Sequence, residues 1–310
     1  MTKMTLGHFL YGAHVHFHRT MLGAKLSQTK GNGSYEGLHY MEAGNPDGPT
    51  ILYIHGFGDN KDGFLWPAML LKRYRLIFPD LPGFGDNPQN WQQCYDMDYS
   101  KGCLWQFIQE KDLHPCHVIG NSLGGAISIK LCLEHPERFK TLTLIDTAGF
   151  HYPHIPSLFH EYAEGINLFQ VEDKETFQRL MEKLIYNSKR VPRPIQKYLF
   201  HRIKEQHRWF GKMMDDLIGK NLNINDSAVI LERSFNEKVK DLKLPTLVMW
   251  GENDGLFPVE IAHNIVHNIT EAKLHIFKKT GHAPQYEHPV KVASLIHRFI
   301  KNNTTDKVGP

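Results

Sequence analysis

Ser122 stands in the run Pro115-Cys116-His117-Val118-Ile119-Gly120-Asn121-Ser122-Leu123-Gly124-Gly125-Ala126-Ile127. Val118 and Ile119 read as the end of a buried strand, and Ala126, Ile127, Ile129, Leu131 and Leu133 continue as a helix. A serine between strand and helix, with glycines two positions to either side, is a hydroxyl on a sharp, strained turn. Such a turn lifts the hydroxyl into a cleft as a nucleophile. It also aims the Leu123 N–H, with the helix N-terminus behind it, at the oxygen of a carbonyl under attack.

A serine nucleophile needs a base, a group to orient that base, and a second donor for the oxyanion. In open parallel sheets such groups collect at the carboxyl ends of strands. His282 follows the apolar run Lys273–Phe277 in Thr280-Gly281-His282-Ala283-Pro284, and Asp254 follows Leu247–Trp250 in Gly251-Glu252-Asn253-Asp254-Gly255. His282 would take the serine proton, and Asp254 would hold the imidazole in the useful tautomer. Glu252 and Asp146 are the competing carboxylates; Asp80, in Asp80-Leu81-Pro82-Gly83-Phe84-Gly85, precedes the nucleophile and reads as a turn-fixing group. His55-Gly56-Phe57-Gly58 follows the strand-like Thr50–Ile54, so the Phe57 N–H is the expected second oxyanion donor.

These groups require a sheet to place them. Strands are expected over Tyr35–Ala43, Thr50–Ile54, Arg75–Pro79, the segment before Ser122, Thr141–Asp146, Leu244–Trp250 and Lys273–Phe277. Their alternation with helical patterns, such as residues 99–113 and the terminal helix carrying Val292, Leu295, Ile296 and Phe299, argues an α/β fold: a mostly parallel sheet covered on both faces. Between about 149 and 235 the texture changes. Phe177, Leu180, Met181 and Leu184, then Ile195, Tyr198, Leu199, and later Trp209, Phe210, Met213 and Met214, give amphipathic helices and no buried strand. The expected organisation is a core of residues 1–148 plus 236–310, with 149–235 inserted as a helical lid over an apolar pocket. Residues 301–310 are polar and expected to fray.

The 310 residues carry a formal net charge of +3, too small and dispersed for a nucleic-acid footprint. No run of about 18 apolar residues would span a membrane, and the start lacks a secretory apolar core. Cys94, Cys103, Cys116 and Cys132 have no metal or redox spacing and read as free thiols of a reducing, cytoplasmic compartment. Residues 1–30 form an extension in which Leu6, Phe9, Leu10, Ala13 and Phe17 recur at helical spacing. A helix packed on the body is the plainer expectation, and peripheral membrane contact through residues 5–20 the sharper one. His14, His16 and His18 lack a completing carboxylate or thiol for metal and are expected on a solvated face.

Taken together, His55-Gly56-Phe57-Gly58, Asp80–Gly85, Gly120–Gly125, Gly251–Asp254 and Gly281-His282 resemble the α/β-hydrolase superfamily over about residues 35–302. Within it the chain is most similar to the lid-bearing group of monoacylglycerol lipases, bacterial lipase-esterases and meta-cleavage-product C–C hydrolases. The resemblance implies the order Ser122, Asp254, His282 as the catalytic triad and prefers Asp254 over Glu252. It implies Phe57 and Leu123 as the oxyanion amides, Phe57, Phe150 and Leu256 as pocket walls, and no metal or cofactor. The expected activity is cleavage of a small-molecule or lipid ester with an apolar acyl group. Asn121 is similar to the C–C hydrolases, but Ala283 stands where those carry a tryptophan, and neither Arg190 nor Arg193 has a setting that clearly matches their carboxylate clamp. A catalytically silent ligand receptor on the same fold is disfavoured by the complete Ser, Asp and His positions.

Overall fold

The computed structural model describes residues 5–152, 154–219, 226 and 232–304. An eight-stranded sheet has the order β1-β2-β4-β3-β5-β6-β7-β8, with β1 (Lys25–Gln28), β2 (His39–Gly44), β3 (Thr50–Ile54), β4 (Arg75–Pro79), β5 (Cys116–Asn121), β6 (Phe139–Ile145), β7 (Thr246–Gly251) and β8 (Lys273–Phe277). The strands from β3 to β8 run parallel, and β1 and β2 pair antiparallel at one edge. Register puts Ile54, Gly120, Leu144 and Val248 abreast, so the loops that leave β3, β5, β6 and β7 emerge at one edge of the sheet. Strands β5 and β7 are buried throughout, as expected of parallel strands covered on both faces.

Helices α1 (Leu6–Met21), α2 (Leu65–Leu71), α3 (Met97–Glu110) and α4 (Leu123–Glu134) precede β6 or flank the first strands. Between β6 and β7 come α5 (Leu158–Ala163), α6 (Lys174–Leu184), α7 (Arg193–Glu205) and α8 (His207–Ile218), and no strand is found there among the described residues. Residues 220–225 and 227–231 of the expected lid lie outside the described residues. After β7 follow α9 (Glu260–Asn268), α10 (Pro284–Glu287) and α11 (Pro289–Thr304). Residues 301–304, expected to fray, continue α11, while 305–310 lie outside the described residues.

Two expectations needed revision. The strand expected from Tyr35 begins only at His39: Glu36 pairs instead with Gly31 in an isolated bridge, and Gly37 packs on the Thr29 backbone, where a Cβ would sit 1.9 Å from the carbonyl oxygen. His14 and His18 do not face solvent freely: both rings stack on Trp66, whose indole N–H donates to His14 Nε2 at 2.9 Å. All four cysteines are free thiols. No helix among the described residues is long and apolar enough to cross a membrane.

Candidate active site

Ser122 lies between β5 and α4 with φ 52° and ψ −118°, a backbone conformation unfavourable for a residue with a Cβ. The surroundings hold it there. Its amide donates to the Ile145 carbonyl at 3.0 Å, and its carbonyl accepts from Gly125, Ala126 and Ala148. Gly120 and Gly124 are needed for space: a Cβ on Gly120 would lie 2.4 Å from the Gly124 oxygen, and one on Gly124 2.2 Å from the Ile54 oxygen. A Cβ on Gly56 would meet the Ser122 Cβ at 3.1 Å, so the loop after β3 runs directly past the serine. The Phe57 and Leu123 amides, the two expected oxyanion donors, donate to no backbone carbonyl among the described residues.

That loop is braced from below. The Leu81 N–H donates to His55 Nε2 at 2.8 Å, which leaves the ring proton on Nδ1 to donate to the Gly56 carbonyl at 2.8 Å. Beside it, the buried Lys61 ammonium reaches the buried Asp80 carboxylate at 2.7 Å, and Asp80 also accepts the amides of Lys61 and Asp86. Asp80 is thus the turn-fixing group expected of it. The Phe57 ring is packed against Phe84, Phe169 and Phe210, with centroids 4.6 to 5.5 Å away.

His282 and Asp254 come together in the loops after β8 and β7. His282 Nδ1 lies 2.7 Å from Asp254 Oδ2, while Asp254 Oδ1 accepts the amides of Leu256 and Phe257 at 2.8 and 3.0 Å. With Nδ1 engaged by the carboxylate, Nε2 is the free end of the ring. Both side chains are buried, as is Ser122. The two loops are pressed together: a Cβ on Gly251 would lie 1.9 Å from the Gly281 oxygen, and the Asn253 amide donates to the Thr280 carbonyl at 2.8 Å. The end of α6 is stitched to both, since Gly255 N–H donates to the Lys183 carbonyl at 3.1 Å and His282 N–H to the Leu184 carbonyl at 2.9 Å. Glu252, the rejected acid, is exposed and accepts from the Lys279 amide. Gln285, one turn beyond His282, donates to Asn121 Oδ1 at 3.2 Å, and Asn121 donates in turn to the Ile145 carbonyl.

Ser122 and Leu123 open on a cavity of about 140 Å³. Phe57, Phe257 and Met97 wall it from the body, and Phe150, Leu158, Phe159, Phe169, Met214, Leu217 and Ile218 close it from the segment between β6 and β7. Phe257 also lies against His282, with ring centroids 5.6 Å apart. Two of the three expected wall residues, Phe57 and Phe150, are there. Leu256 is buried but does not line the cavity; its neighbour Phe257 does. His151, Arg233 and Ser234 also line the wall; His151 lies in the proline-rich exit from the sheet after Gly149 and was not assigned to the pocket, and no glycine, proline or strand end marks Arg233 or Ser234.

The model for the alpha/beta hydrolase fold family matches residues 49–289, and the chain belongs to that family. Lipase 3 of Moraxella sp. (strain TA144) is 32% identical over 252 residues, covering 80% of this chain and 76% of that protein. The 2-hydroxy-6-oxo-6-phenylhexa-2,4-dienoate hydrolase of Burkholderia cepacia is 26% identical over 86% of this chain and 91% of its own length. Among solved structures, a bacterial membrane phospholipase A superposes with a TM-score of 0.84 at 26% identity, covering 97% of this chain and 93% of that one. The protein is accordingly an enzyme, a hydrolase related to lipases.

Proposed function

We propose that the protein cleaves carboxylic esters with an apolar acyl group through an acyl-enzyme on Ser122. The observation that carries this reading is the strained serine opening on an apolar cavity whose wall residue Phe257 abuts the hydrogen-bonded His282–Asp254 pair. His282 Nε2 takes the Ser122 proton as Oγ attacks the ester carbonyl. Asp254 holds the ring and offsets the transient imidazolium charge. The amides of Phe57 and Leu123 receive the oxyanion; losing one such donor costs on the order of 10²–10³ in rate. Collapse of the intermediate expels the alcohol, which leaves with the proton from His282, and water then releases the acid by the same steps. The helices between β6 and β7 act as the cap that excludes water and selects the acyl chain.

A fluorophosphonate probe and a p-nitrophenyl acyl ester test the assignment. The wild type should be labelled on Ser122 and give a burst; Ser122→Ala should do neither, and retained turnover in that variant would refute it. A second reading, hydrolysis of a C–C bond in a vinylogous diketo acid, draws support from the Burkholderia relative. It is favoured over the first if a coloured dienol substrate is bleached while acyl esters are left intact.

Peripheral contact with lipid is part of the same reading. Helix α1 keeps Leu6, Phe9, Leu10, Phe17 and Met21 exposed while burying only Gly7 and Val15, and the related bacterial enzyme is a membrane phospholipase A. Flotation with liposomes should be lost when residues 1–25 are removed; equal flotation of the two forms removes α1 from the interaction.

A further inference from the structure

Strand β6 is followed, as β5 is, by a residue other than glycine in left-handed backbone: Asp146 has φ 43°, one strand over from Ser122. Asp146 is fully buried. Its amide donates to the Met249 carbonyl at 3.0 Å, and the Gly251 amide donates to its Oδ1 at 2.8 Å, which fixes the carboxyl group against the end of β7. No donor reaches its Oδ2 among the described residues. What faces it is the proposed relay, since side-chain atoms of Asp146, Asp254 and His282 all lie within 4.8 Å of one another.

Two carboxyl groups in a dry pocket do not both ionise when a single imidazole is their basic neighbour. The donors decide which one keeps the charge. Asp254 accepts two amides and the His282 ring N–H, whereas Asp146 accepts one amide only. The other charged neighbour is Glu287 of α10, again a carboxyl group. Burial, followed by the Asp254 charge, pushes Asp146 well above the usual carboxylate range, and burial raises Glu287 as well.

We propose that Asp146 is a positioning residue for the Ser122–His282–Asp254 relay: it stays protonated and donates its carboxyl O–H to Asp254, holding that carboxylate toward His282. This rests on the triad reading. It gives the otherwise orphaned oxygen a partner, and it leaves one negative charge rather than two beside the imidazole. Asp146 touches no substrate; it acts through Asp254.

The test compares Asp146→Asn, which keeps an N–H donor in the same place, with Asp146→Leu, which does not. The acid limb of kcat/KM against pH should coincide for wild type and Asp146→Asn, with kcat within about threefold. In Asp146→Leu, kcat should fall on the order of tenfold at little-changed KM, and the acid limb should move to higher pH, because Asp254 is then less well stabilised as an anion. An Asp146→Asn limb displaced downward by about one pH unit means that a charge was removed, and overturns the proposal. Infrared spectra of protein labelled with ¹³C-aspartate give a readout independent of activity and of either variant folding. The wild type at neutral pH must show a protonated-carboxyl C=O band, and its absence overturns the proposal. Fluorophosphonate labelling of the same wild-type sample separates the two failures: an unlabelled Ser122 sinks the triad, whereas a labelled one with a shifted Asn limb sinks only the role of Asp146.

Discussion

The floor and the roof of the cavity are built by opposite means. Beneath Ser122, backbone lies against backbone: Gly120, Gly124 and Gly251 each pass a carbonyl oxygen at a distance that would leave a Cβ within 2.4 Å of it. Above, α5, α8 and the segment between α5 and α6 meet the cavity through apolar side chains, among them Leu158, Phe169, Met214 and Leu217. Positions fixed by main-chain approach tolerate almost no change, while a wall of Leu, Met and Phe can be resized one residue at a time. The geometry that the proposed chemistry needs is therefore placed in the part of the molecule least able to vary, and the walls to which the proposal assigns chain-length preference in the part most able to.

Substitution on the floor should have the largest effect. Gly124→Ala forces the β3 backbone away from α4; we expect about 3 kcal/mol of lost stability and, from the displaced hydroxyl, about 100-fold lower kcat, read by urea denaturation and ester turnover. A near-neutral result would break the contrast. The next effect is one of pH. His117, in the strand that carries the serine, is lowered from 6.5 to about 4 by burial, with help from the Lys140 charge. The unfolded chain therefore binds a proton between those values that the folded chain refuses, so stability should fall as pH drops from 6.5 towards 4. The full difference is on the order of 3 kcal/mol, and His117→Gln should flatten the pH dependence of the urea midpoint across that window. The smallest effect is expected in the roof. Leu217→Ala should change the ratio of kcat/KM between long and short acyl esters by about tenfold, with kcat on the preferred ester within about threefold. A hundredfold loss of kcat there would show that roof and floor are not separable.

Much of the floor was legible because its signals are local. A short apolar run bounded by glycine and a charged turn, as at Thr50–Ile54 or Leu247–Trp250, has few readings other than a buried strand. Strand β1 escaped notice because all four of its residues are exposed, so nothing in its pattern alternates. The wall was half legible. Phe150 and Phe57 follow strand ends, but the choice between Leu256 and Phe257 depends on which way a two-residue step turns once Asp254 has captured both amides. His151 and Arg233 come from segments far apart in sequence, and only packing brings them to one cavity. The approach of the Asp146 carboxyl group to Asp254, within 4.8 Å, is invisible in the sequence for the same reason: each reads as a rival for one role, and only the fold puts them side by side.

The bonds from Gly255 and His282 to the last turn of α6 carry one more consequence. They tie the α6 edge of the roof to the loops that carry His282 and Asp254. The start of α5 is tied to the same loop, the Leu158 N–H donating to the Leu256 carbonyl at 2.9 Å, so an opening that spares all three bonds would swing α8 outward and give up the bond from the Trp209 indole to the Gly83 carbonyl. Substrate would then enter and product leave on the side away from His282, and the histidine would keep its aim through the whole cycle.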